Sequence, residues 1–93
     1  MKDVIRKTLK TGEETEFNTR LERSQFLVKN FTDGNITVRL GDNDVDSMIG
    51  PNSWERVFNN VDNVSGKTTP VVTNVLHITA DVAGIVEVAS IDD

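Results

Sequence analysis

The chain has 93 residues, with four phenylalanines, one tryptophan, no tyrosine, no cysteine, and 15 acidic against 10 basic groups for a formal net charge of −5. One domain fits this length. The lack of cysteine excludes disulfides and thiolate metal sites, and the acidic balance repels a phosphate backbone, so nucleic acid is not an expected partner. No apolar run reaches the length of a membrane span or a leader's hydrophobic stretch, so the chain is expected to stay off membranes, in the cytosol where it is made.

Val4 to Leu9 alternates enough to be a first strand, with a charged helical turn as its competitor. Glu13 to Arg23 is so polar, with Phe17 and Leu21 as its only large apolar groups, that residues 1–25 read as a polar segment holding a possible first strand or a docking arm. The β-sandwich domain is then expected over residues 26–93. Phe26, Val28 and Asn30 point one way and Leu27, Lys29 and Phe31 the other, because successive strand side chains alternate faces. Past Thr32-Asp33-Gly34, the residues Ile36, Val38 and Leu40 face inward and Thr37 and Arg39 outward. The two runs predict a β-hairpin, with Gly34 or Asn35 taking the positive φ of its tight turn.

Gly41 to Asn52, with its acids, asparagines and Pro51, reads as a loop carrying a short edge strand near Met48-Ile49. Ser53 to Phe58 is the next strand and Asn59 to Pro70 a long loop. Val71 to Ala80 and Gly84 to Ile91 then form a second predicted hairpin over Asp81 to Gly84, with Leu76, Ile78 and Ala80 on one face. Six or seven strands with no helix of twelve residues predict an all-β fold, a small antiparallel sandwich or barrel. Its core, poor in aromatics and built from Val, Ile and Leu, is thin and would gain from oligomerisation.

Candidate chemistry is sparse. Asp42, Asp44 and Asp46 alternate as calcium loops do, yet Ser47 and Ser53 stand where such a loop requires Gly and Glu, so the segment reads as a solvated acidic loop. His77 is the only histidine. Between Leu76 and Ile78 it is read as a strand histidine rather than a catalytic base, since a nucleophile or carboxylate would have to be brought by folding and the nearby Asp81 belongs to the turn. Gly66-Lys67-Thr68 lacks the earlier glycine and the helix of a phosphate loop. Asn30, Asn35 and Asn63 each begin an Asn-x-Ser/Thr triplet and are read as turn and strand residues. Trp54 is either a core residue or an exposed anchor for a partner; with Phe17 and Leu21 it completes the interface candidates. No catalytic residue, cofactor or firm metal site is expected.

Three stretches, "FLVKNFTDGNITVRLGD", "IGPNSWERVF" and "VLHITADVAGIVEVASID", occur in that order. Together they resemble small accessory virion proteins of tailed phages and prophages, over about Phe26 to Ile91. The resemblance implies a β-sandwich that binds a phage structural protein of capsid or tail, is located in the virion after synthesis in the host bacterial cytoplasm, and performs no chemistry. Capsid decoration or a head-associated role leads. A tail or baseplate component, or a carbohydrate- or calcium-binding sandwich module, is the alternative.

Overall fold

The computed structural model describes residues 4–41, 46–58, 60–62, 68–70 and 72–91. In chain order its strands are β1 (Val4–Leu9), β2 (Glu14–Arg23), β3 (Gln25–Asn30), β4 (Ile36–Leu40), β5 (Asp46–Ile49), β6 (Ser53–Phe58), β7 (Asn60–Asp62), β8 (Thr68–Pro70), β9 (Thr73–Ala80) and β10 (Gly84–Ser90). A first sheet has the order β1-β10-β3-β6 and a second β2-β9-β4-β5, all pairs antiparallel, while β7 and β8 make a separate ribbon. The two sheets share eight strands, more than the six or seven expected. Each ends in two edge strands, so no barrel is closed.

The alternation predicted for β3, β4, β9 and β10 produces this arrangement. Phe26, Val28, Val86 and Val88 from the first sheet meet Ile36, Val38, Leu40, Leu76, Ile78 and Ala80 from the second in one buried cluster. Each strand has one apolar face, and burying both faces against each other removes them from water together.

Of the two readings of residues 1–25, the first strand is the one that residues 4–9 form, and residues 14–23 are a paired strand rather than an arm. Val4–Leu9 is an edge strand of the first sheet, paired with β10, and the polar Glu14–Arg23 is an edge strand of the second, paired with β9. Leu9 and Phe17 lie in the shared core. A register shift between Asn18 and Arg23 bulges the far end of β2, and the Thr19 hydroxyl donates to the Leu21 carbonyl there at 3.0 Å. Such a bulge spoils an edge as a template for another strand. Lys7 holds an inward register position on β1, opposite buried Val86, yet stays exposed; its ammonium donates to the Glu16 carbonyl of β2 at 2.8 Å and lies 5.3 Å from the Phe17 ring centroid. It thereby closes the side of the molecule where the two edge strands meet.

Neither predicted hairpin forms. β3 belongs to one sheet and β4 to the other, as do β9 and β10. Their connections are corners that carry the chain across the core. The signal common to both geometries is an alternating strand, a turn and another alternating strand. At the β3–β4 corner stands Asn30, the buried last residue of β3. Its amide donates to the carbonyls of Gly34 at 2.8 Å, Ile49 at 3.2 Å and Gly50 at 2.9 Å, and its Oδ1 accepts from the Thr32 N–H at 2.9 Å and the Thr32 hydroxyl at 2.7 Å. The β3–β4 corner is thus tied to the end of β5. Further bonds join the remaining corners at this end: Asn52 N–H to Thr32 O at 3.1 Å, Asp81 N–H to Asn35 O at 3.0 Å, and Ala83 N–H to the Thr11 hydroxyl at 3.0 Å.

The expected positive φ at Gly34 or Asn35 is absent, because a corner does not need it. Close approach is what demands glycine. A Cβ on Gly84 would stand 2.7 Å from the Thr32 methyl and 3.2 Å from its Cα. Gly84→Ala is therefore expected to destabilise by about 1–3 kcal/mol through overpacking, seen as a lower urea midpoint. An unchanged midpoint would mean that the two corners separate freely.

Candidate functional site

The outer face of the first sheet can be read off its registers, since directly opposed residues share a side. Arg6, Glu87, Lys29 and Trp54 form one cross-strand row, and Val4, Ala89, Leu27 and Arg56 form the next. On the other side of the charged row lie Thr8 and Ile85, with Phe31 level with Ile85 through its N–H bond to the Ile85 carbonyl at 3.0 Å. Phe58 sits opposite Gln25 at the far margin.

This face is unusually apolar for one turned to water. Val4, Phe31, Trp54, Phe58 and Ile85 are all exposed, Trp54 at 65% and Phe58 at 50%. Such grouping, rather than any one exposed side chain, marks an interaction surface. Its electrostatics also differ from the rest of the chain. Among the described residues, Arg6, Lys29 and Arg56 against Glu87 leave the face positive, on a chain whose formal net charge is −5.

The charged row is internally organised. Arg6 Nη2 donates to Glu87 Oε1 at 2.8 Å, Lys29 Nζ stands 3.6 Å from Oε2, and the Arg6 guanidinium lies 5.6 Å from the Phe31 ring centroid. The Arg6 hydrogen bond, helped by the positive charge of Arg6 and Lys29 and opposed by partial burial, holds the Glu87 carboxyl below its ordinary pKa. A lowered folded-state pKa means that the stabilisation is fully present above the unfolded value and lost as pH falls through the folded one. The stability gap between wild type and Glu87→Gln should accordingly be widest near neutral pH and close in acid, as urea melts over a pH series would record. A gap independent of pH would mean that the ion pairs contribute nothing.

The outer face of the second sheet is different in kind. Glu14, Thr37, Arg39, Asp46, His77 and Thr79 line an open polar hollow of about 260 Å³. Arg39 Nη2 and His77 Nδ1 both approach Glu14 Oε1, at 3.1 and 3.5 Å. The half-buried His77 therefore does have a carboxylate beside it, supplied by the β2 segment that the sequence pattern leaves as an arm. That carboxylate is shared with a guanidinium, and among the described residues the hydroxyls lining the hollow are those of two threonines. Asp46 faces outward opposite Arg39. Asp42 and Asp44 lie outside the described residues, and among the described residues no group of three or more His, Asp or Glu could hold a metal.

No protein-family model matches the chain, and neither the curated proteins nor the solved structures contain a match to it. The site therefore rests on geometry. Of the three interface candidates, Trp54 lies on the apolar face. Phe17 is fully buried and belongs to the core, a correction. Leu21 is exposed on the β2 bulge of the other sheet. The structure does not bring the three together. Arg6, Phe31, Phe58 and Glu87 were not among the interface candidates. A usable signal existed in Leu27-Lys29-Phe31 and Ile85-Glu87-Ala89-Ile91, whose outward positions are mostly apolar when one-sided burial would leave them polar.

Proposed function

We propose that this protein is a structural component of a phage or prophage virion, a β-sandwich module that decorates the capsid or associates with the head. It works by protein–protein contact that depends on the outer face of the first sheet, and performs no chemistry. The observation that carries the binding role is the concentration of Val4, Phe31, Trp54, Phe58 and Ile85 on one sheet face. Aromatic anchors beside cations are the composition of interface hot spots. The virion assignment is supported by the resemblance of the Asn-Phe-Thr-Asp-Gly, Ser-Trp and Gly-Ile-Val-Glu-Val segments to accessory virion proteins.

The test is co-sedimentation of the purified protein with phage particles lacking it, with separated heads and tails as parallel arms. Wild type should pellet with heads, and the doubly substituted Trp54→Ser, Phe58→Ser protein, folded by circular dichroism, should lose at least tenfold in retention. Retention by tails alone would move the assignment to the tail or baseplate. Retention by neither would remove the virion role.

A further inference from the structure

Resting on the reading of this face as a docking surface, we propose that its occupant is a second copy of the same chain. The two copies lie face to face about a twofold axis that runs parallel to the strands, midway between β10 and β3. Such a rotation reverses strand order and preserves level along the strands, so β10 of one copy lies over β3 of the other and β1 over β6.

The registers then determine what meets what. In the charged row, Glu87 faces Lys29 of the other copy and Arg6 faces Trp54, each contact occurring twice by symmetry. One level along, Ala89 faces Leu27; on the other side, Ile85 faces Phe31. Carboxylate thus meets ammonium, guanidinium meets indole, and apolar meets apolar. No cation of the row meets a cation, although the face as a whole is positive. A twofold axis lying in the sheet plane across the strands, at the level of Glu87, would instead place Glu87 on Glu87, Lys29 on Lys29 and Arg6 on Arg6. The charge order selects the first arrangement.

The edges of the same sheet oppose the other common route to self-association. Lys7 on β1 and Glu55 on β6 both occupy inward positions, opposite buried Val86 and Val28. Charges placed so resist an added strand. The sheet offers its face and not its margins. Four strands at about 4.8 Å spacing and five or six residues at about 3.4 Å give a small face, at the low end of specific interfaces, so association in the micromolar range is expected.

Sedimentation velocity over about 1 to 500 µM tests the proposal. Wild type should shift from monomer to dimer across that range. Lys29→Glu alone and Glu87→Lys alone should each weaken the dimer at least tenfold, because like charges then face each other at both symmetric positions. An equimolar mixture of the two variants should recover it, since the carboxylates of one chain then face the ammonium groups of the other at both positions. Ile85→Ser, at an exposed site that leaves the ion pairs intact, should also weaken dimerisation tenfold and serves if a charge variant fails to fold.

A wild type that stays monomeric throughout overturns the proposal, as does a mixture no tighter than its components. Should the monomeric protein still pellet with phage particles and lose this with Trp54→Ser, the docking reading stands and the second copy falls. A dimer that responds to the charge exchange but ignores particles leaves the inference standing and removes the virion role.

Discussion

Replacing Asn30 with alanine should destabilise the protein by about 3–5 kcal/mol, the largest loss expected from any polar substitution among the described residues. The side chain is 1% exposed and bridges three carbonyls, those of Gly34, Ile49 and Gly50, while its oxygen satisfies the N–H and hydroxyl of Thr32. Alanine would abandon these partners where water has little access, and each abandoned buried group is worth about 1–3 kcal/mol. The corner would relax to rescue some of them, which keeps the total below the simple sum. Urea melts should show a lower midpoint at unchanged slope, and a domain of this size loses about 4–8 °C in Tm per kcal/mol. Asn30→Asp sharpens the test. It keeps the shape but turns an amide donor toward those carbonyls into a carboxylate, so it should be at least as damaging at neutral pH and partly recover in acid, where a protonated carboxyl can donate once. A loss under about 1 kcal/mol for Asn30→Ala would mean that the corner holds without its bridge.

Asn30 also shows where sequence reading stops. Its inward orientation was legible, because it follows Phe26 and Val28 at the strand period. Its role was not, since the carbonyls of Ile49 and Gly50 are brought to it only by the fold. The same limit explains the two predicted hairpins. Alternation sorts side chains into two faces, and in β3, β4, β9 and β10 one of those faces is buried. It is silent on whether two strands lie side by side or face each other across a core, because both bury the same residues. β2 escaped detection for a different reason. An edge strand with one wet face shows few large apolar groups, and its inward positions include Thr15 and Thr19, whose β-branched shape suits a sheet but whose hydroxyls disguise burial. The candidate face needed more still. Leu27 and Phe31 were legible as sharing one face of their strand, but the row Arg6-Glu87-Lys29-Trp54 exists only once four strands distant in sequence are set in register.

The two aromatic residues whose places the sequence left open or misjudged, Trp54 and Phe17, should respond to truncation in opposite ways. Phe17 is fully buried, opposes Leu76 across the β2–β9 ladder, and carries the Lys7 ammonium over its ring. Phe17→Ala would leave a cavity beneath an edge strand and should destabilise by about 3–5 kcal/mol, less whatever the strand recovers by collapsing inward. Association of the protein that remains folded should be unaltered, because Phe17 contributes nothing to the outer surface of either sheet. Trp54 is 65% exposed. Trp54→Ala removes little buried area, so stability should change by less than about 1 kcal/mol, while binding through the first sheet should weaken at least tenfold. Parallel thermal melts and sedimentation on the two variants read both effects. If Trp54→Ala were the destabilising change and Phe17→Ala the one that abolished association, the assignments of core and surface would be reversed and the docking face would have to be sought on the second sheet.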